Sequence, residues 1–367
     1  MNVGSQYQQR GIGMKRQLVT YVHPRTNDDR VGILWGTRIV DVSAAYAGLL
    51  ARAGERDPTN TAEKALPSNM LALLQRGDDA WRALDRVVEL LTDRDAPEPA
   101  GPGAEPIVFD TSTTRLRAPV PRPGKIIHTA GNFREHAREG SQGGWEFQIP
   151  PWISFLKCTS SIIGPEDDIV YPELTEKLDH EIELAIIIGK GGRYIPPEKA
   201  WEHIAGFTVF NDISARDLQA REMKSGLLNL GKNLDTFAPF GPCMTLRDDI
   251  GNVHDLKIEL RVNGDPRQVS STNRLSVKIP EIVSHWSVMR LEPGDIISTG
   301  TVSGVAAFRP DPAAFWLKPG DVVECEIENI GTMRNRLVAD ELTAEQRAWL
   351  DARRSLFATD QHDEFRK

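Results

Sequence analysis

The residues best suited to chemistry lie in the run HEIELAIIIG, where Glu181 and Glu183 alternate with Ile182 and Leu184. A β-strand has a side-chain period of two, so both carboxylates face the same side. On a half-buried strand they repel one another and lose hydration. That needs an offset: a raised pKa, a nearby cation or plain exposure. Taken alone, an ExE pair is most simply a solvent-facing polar row. Asp212 shifts that balance, because it ends the apolar run AGFTVFND. A third carboxylate at the tip of a neighbouring strand completes an all-oxygen cluster, which suits a hard cation such as Mg²⁺, Mn²⁺ or Ca²⁺. Zinc is disfavoured, since no Cys/His cluster has the usual ligand spacing.

A second group is GNFREHAREG, in which His136 and Glu139 are three apart. On a helical turn the carboxylate can orient the imidazole and raise its basicity. Such a pair is usually a solvated surface feature, but this one follows directly on a strand, KIIHT. The next stretch, SQGGWEFQIPPW, combines Gly, Pro and Trp in the manner of a lid with aromatic anchors. After Asp212 come Arg216 and Gln219, again three apart, and then Lys232 behind a glycine. An Arg, an amide and a Lys beside a cation could together hold a carboxylate ligand, whereas in isolation they read as salt-bridge partners of Asp217 and Glu222. Finally, GDIISTGTVSGV leads a strand into Gly300 and Thr301, a turn able to offer N–H groups and a hydroxyl to an anion.

These groups need a scaffold. Residues 17–23 and 31–42 read as strands, the second broken as a hairpin at Trp35-Gly36-Thr37. Helices are expected at 43–53 and 79–93. The stretch 96–106, APEPAGPGAEP, cannot hold a helix or central strand and reads as a linker. Residues 14–115 are therefore expected to form an α+β N-terminal domain, behind a flexible arm at 1–13. From Leu116 to about residue 340 the chain is strand-rich, with strands at 125–129, 180–188, 205–211, 256–263, 295–299 and 321–328. Short helices are expected after Pro197 and at 280–289. Many short strands suggest a rolled or barrel-like β domain. Residues 341–367 form a terminal helix and tail, opened by Thr343 and Gln346 at capping-box spacing.

Composition sets the outer bounds. The chain has 367 residues, of which 40% are hydrophobic and 26% charged, with a formal charge of −8. That is ordinary globular composition with length for about two domains. The acidic balance argues against a nucleic-acid partner. No apolar run approaches the ~20 residues of a membrane helix, and the N-terminus has no secretory h-region. Cys158, Cys243 and Cys325 are few and scattered, which points to a reducing cytoplasm.

Taken in order, NFREHARE, FLKCTSSIIGP, EIELAIIIGK, NDISARDLQ, GKNLDTFAPFGP, GDIISTGTVSGV and LKPGD resemble the motif series of the fumarylacetoacetate hydrolase family over residues 116–340. The resemblance implies a mixed β-roll catalytic domain, a homodimer and one divalent cation per subunit. By position it implies that Glu181, Glu183 and Asp212 hold the metal and that His136 and Glu139 form a catalytic dyad. Arg216, Gln219, Lys232 and Thr301 would contact the oxo-acid end of a substrate, with Gly300 beside them. The leading expectation is hydrolysis of a C–C bond in a β-diketo or 2-oxo acid such as an acylpyruvate. In that scheme the dyad activates water and Lys232 stabilises the expelled enolate. Decarboxylation, isomerisation or hydration of a 2-oxo acid could use the same residues, and a catalytically silent binding protein is the alternative from another class. Departures from the family pattern are Phe133 for a common Tyr, Cys158 for a Pro, Val302-Ser303, the long link AAFRPDPAAFW and the lid. Each is a candidate to shape substrate choice.

Overall fold

The computed structural model describes residues 14–142 and 154–354. The expected arm at 1–13, residues 143–152 of the lid segment and the tail from 355 lie outside the described residues. The fold is mixed α+β. Among the described residues twelve strands form one large sheet, and five form a second sheet in the order Asp265–Ser271, Lys257–Val262, Val322–Ile327, Gly331–Ala339, Ile169–Tyr171. Leu178–Asp179 and Ser214–Ala215 pair separately. Among the described residues the sheets stay open, so the expected roll does not close into a barrel.

The middle of the large sheet carries the strands that matter for function. Its order there is Gln17–Val22, Ala238–Leu246, Ile204–Asn211, Ile182–Ile188, Ile296–Thr301, Ile126–Thr129 and Ser154–Lys157. All seven residues of Ile182–Ile188 are buried. The strand expected to be half-buried is thus covered on both faces, as a continuous Ile-rich run permits. Ile182, Leu184, Ile186 and Ile188 pack into a core shared with the second sheet, alongside Leu260, Cys325 and Leu337. Ala185 and Ile187 face a second core built with helices Met70–Arg76 and Asp78–Thr92, through Leu73, Leu84 and Val87.

The N-terminal hairpin forms as its sequence requires, with strands Asp29–Trp35 and Arg38–Asp41 joined at Gly36, whose φ is +63°. Its sheet continues directly into the rest of the molecule, because Leu18 pairs with Met244. The Pro/Gly stretch runs along helix Val42–Arg52. A Cβ on Gly48 would lie 2.0 Å from the Ala100 carbonyl oxygen, so glycine is what permits that close approach. The chain then returns as strand Val108–Asp110 beside Arg38–Asp41. The terminal helix Ala344–Asp351 carries the expected capping box of Thr343 and Gln346.

Candidate active site

Antiparallel and parallel pairing bring the ends of four strands together. Ile182 lies opposite Asn211, which sets Glu181 and Glu183 beside Asp212. Glu183 pairs with Thr301 across the other edge. Strand Ile126–Thr129 runs parallel to Ile296–Thr301 and places His128 beside Ser298. Gly300 has φ +89°, and a Cβ there would come within 2.5 Å of the Thr129 carbonyl oxygen. It therefore serves close strand approach at the pocket edge.

The carboxylates are buried and heavily paired. Glu181 accepts from Arg216 Nη2 at 2.6 Å and from Lys232 Nζ at 2.7 Å. Lys232 also donates to Asp212 Oδ2 at 2.6 Å. Asp212 receives a second ammonium from Lys157, and Glu183 receives the Ser298 hydroxyl. His128 Nδ1 sits 3.0 Å from Glu183 Oε2 and 3.6 Å from Asp212 Oδ2. Burial alone would raise the Asp212 pKa, but Lys157 and Lys232 outweigh it and hold the carboxyl well below the usual range. Burial pushes Glu183 up to about 7, and the neighbouring carboxylates add to that while His128 opposes it. Lys232 is raised: burial works against its charge, but Asp212 and Glu181 prevail.

The donor set fits a divalent cation. One ligand atom each from His128, Glu183 and Asp212 lies within 4.8 Å of the others. All three residues are buried, and among the described residues neither ring nitrogen of His128 has a hydrogen-bond partner of good geometry. Glu181 joins Asp212 through the shared Lys232 ammonium. The geometric cluster thus takes in His128, which the motif reading did not single out, while Glu181 is engaged by Arg216 and Lys232.

The remaining site residues are set by local structure. His136 is buried on helix Arg134–Gln142, with Nδ1 3.7 Å from Glu139 Oε2 and its ring 5.4 Å from that of Phe308. Glu139 is held from behind by the Gly304 N–H, 3.0 Å from Oε2. Arg216 and Gln219 share the first turn of helix Arg216–Met223, and Arg216 Nη1 donates to Gln219 at 2.9 Å. Lys232 is carried by the short helix Leu230–Asn233, whose first N–H groups are capped by Glu222. The Thr301 hydroxyl donates to the Ile182 carbonyl at 2.9 Å. His136, Glu181, Glu183, Asp212, Arg216, Gln219, Lys232 and Thr301 line one pocket, walled on its apolar side by Phe155, Met223, Leu228 and Phe308. Glu139 and Gly300 stand just outside that lining. Of the departures from the family pattern, Phe308 in the long link reaches the pocket, whereas Phe133 is a core residue against Leu275. Glu135 pairs with Arg274 at the surface.

The profile of the fumarylacetoacetate (FAA) hydrolase C-terminal region matches residues 125–338. The chain belongs to the fumarylacetoacetate hydrolase family. Among its family relatives, the mitochondrial oxaloacetate tautomerase Fahd2a of Rattus norvegicus is 38% identical over 281 residues, or 76% of this chain and 82% of the relative. Among solved family structures, the fumarylacetoacetate hydrolase of Exiguobacterium antarcticum has a TM-score of 0.67 at 30% identity, covering 89% of this chain and all of that one. The maleylpyruvate hydrolase of Sphingobium sp. SYK-6, solved with manganese(II) and pyruvate, has a TM-score of 0.63 at 28% identity, covering 89% and 100%. Family members thus include isomerases and hydrolases, and a divalent cation accompanies this fold in at least one of them.

Proposed function

We propose that this chain is a divalent-cation-dependent enzyme that moves a proton on a small 2-oxo acid, converting its enol and keto forms. The observation that carries the reading is the placement of His136, backed by Glu139, on the same buried pocket as three carboxylates, Arg216 and Lys232. Asp179, Glu181 and Asp212 face Lys157, Arg216 and Lys232, and Glu183, pushed up to about 7 by burial, has His128 beside it. A dication bound there would favour the ionised Glu183 and make the pocket receptive to an anion. Glu183, Asp212 and His128, with Glu181 beside them, would hold it, and Mg²⁺ or Mn²⁺ suits the donors. When bound, it would supply Lewis acidity toward the carboxylate and oxo oxygen of the substrate.

The chain's own residues then divide the work. Arg216 and Gln219 orient the carboxylate end, and Thr301 closes that side of the pocket. His136 takes a proton from the carbon next to the oxo group and returns one to oxygen, with Glu139 fixing its ring. Lys232 offsets negative charge that develops on oxygen. Relatives carrying the name oxaloacetate tautomerase support this reading. A second reading, hydrolysis of an acylpyruvate with His136 deprotonating water, is favoured by the hydrolases of like fold. The test is product analysis with Mg²⁺ or Mn²⁺ present. Loss of the ultraviolet absorbance of enol-oxaloacetate without carbon loss supports the first reading. Release of pyruvate and a second acid from an acylpyruvate, with no effect on oxaloacetate, replaces it by the second. We further propose the homodimer implied by the family resemblance, to be checked by light scattering against the 40.8 kDa chain mass. Three free cysteines support a reducing compartment, which we take to be the cytoplasm; no described helix is long and apolar enough to cross a membrane.

A further inference from the structure

Strand Asp265–Ser271 of the second sheet has an inverted pattern. Val269 is 63% exposed, while the adjacent Gln268 is fully buried at 0%. An amphipathic strand would do the reverse. The buried amide uses all of its capacity. Its Oε1 accepts from the Ile182 N–H at 3.1 Å and lies 3.1 Å from His180 Nδ1. Its Nε2 donates to Thr301 Oγ1 at 2.9 Å and to the Val302 carbonyl at 2.7 Å. Ile182 is the residue between Glu181 and Glu183, and Thr301, the partner of Glu183 on the neighbouring strand, lines the same pocket. The Thr301 hydroxyl in turn donates to the Ile182 carbonyl. One side chain from the second sheet therefore ties together the two strand ends that carry the site.

We infer that Gln268 is a positioning residue for cation binding, fixing the peptide between Glu181 and Glu183 against the Thr301 turn. The inference rests on the reading of these carboxylates as a cation site. Groups behind a ligand shell set its orientation, and losing one typically weakens metal affinity about 10–100-fold. Gln268→Met keeps the side-chain length and removes all four bonds. Gln268→Glu keeps acceptors for Ile182 and His180 but cannot donate to Thr301 or Val302.

The experiment is calorimetric titration of the full chain with Mn²⁺ alone, alongside thermal melting. Asn335→Leu serves as the structural control, because Asn335 is also buried in the same sheet and, among the described residues, its side chain bonds only the Gly164 and Asp167 carbonyls. The expected result is Mn²⁺ affinity weakened by about 10–100-fold in Gln268→Met, by less in Gln268→Glu, and not at all in Asn335→Leu, whatever each does to the melting temperature. Wild-type affinity in both Gln268 variants overturns the inference. So does an equal loss in Asn335→Leu, which would make the effect one of general stability. Glu183→Gln separates the two levels. If it abolishes binding while the Gln268 variants bind normally, only the positioning role falls. If it binds Mn²⁺ as wild type does, the cation-site reading falls and the inference with it.

Discussion

At the scale of single residues, the site divides into groups that sequence spacing reveals and groups that only folding brings in. Glu181, Glu183 and Asp212 are legible because strand alternation and a strand terminus are local properties. His128 and Gln268 are not, since each reaches the site by pairing with segments far along the chain. The fold joins His128 to Ser298 and Gln268 to Ile182. His136→Ala is expected to slow turnover by roughly 10²–10⁴-fold, the usual scale for a general base, with Mn²⁺ affinity unchanged. Steady-state kinetics and metal titration of the same variant check this, and full turnover would remove His136 from the mechanism. The cysteines give a second expectation. Burial pushes Cys243 up to about 12 and raises Cys325 further still, while Cys158 is exposed. Reactivity follows the thiolate, so iodoacetamide at mild alkaline pH should alkylate Cys158 in the native protein and all three after denaturation. Mass spectrometry reads the stoichiometry, and native labelling of Cys243 or Cys325 would contradict their burial.

At the scale of elements, close approach matters more than propensity. Gly231 sits in the short helix that delivers Lys232, and a Cβ there would lie 2.6 Å from the Gln219 backbone nitrogen and 3.0 Å from the Ala215 carbonyl oxygen. Both obstacles are backbone, so they cannot step aside cheaply. Gly231→Ala should push Lys232 away from Glu181 and Asp212 and cost on the order of 10²-fold in kcat, the scale for a displacement of about 1 Å at a reacting centre. Lys232→Arg, which leaves the backbone alone, separates displacement from loss of charge. The elements themselves were unevenly legible. Hairpin and long helices follow from turn chemistry and periodicity. Strand Ala238–Leu246 does not, because Pro239, Gly241 and Pro242 argue against a central strand, yet it sits between two partners in the large sheet. Tertiary pairing overrides the local signal there. Helices Pro58–Ala65 and Met70–Arg76 are short, and they gain meaning only when packed, the first on helix Val42–Arg52 and the second on Asp78–Thr92.

At the scale of the whole molecule, the acidic arm of the pH profile follows from histidines held neutral. Burial lowers the pKa of His23, His254 and His285 below the ordinary 6.5. His254 Nε2 accepts from the Ile279 N–H at 3.2 Å, which a protonated ring could not do. The unfolded chain takes up these protons first, so what these three groups contribute is full above about pH 6.5 and is lost as pH falls toward the folded values, while Glu183, pushed up to about 7, works in the opposite direction. Across that window His254→Gln, which still accepts but cannot charge, should lose less melting temperature than the wild type. The sequence suggests a division near residues 96–116, and that stretch does mark a change in composition. The pairing of Gln17 with Thr245 and Leu18 with Met244 crosses it nonetheless. A fragment spanning 116–354 would bare the flank of Ala238–Leu246 together with Phe210, Phe240 and Met244, which share a core with the N-terminal helices. It is expected to aggregate or lose its near-ultraviolet circular dichroism, and a soluble, cooperatively melting fragment would show that the two parts stand alone. The shared ladder also fixes how the protein comes apart. Amide protons of Leu18 and Met244 are guarded by one another, so their exchange with heavy water should share a single opening free energy. Calorimetry should accordingly record one cooperative peak, with the N-terminal strands melting in the same event that dismantles the carboxylate pocket.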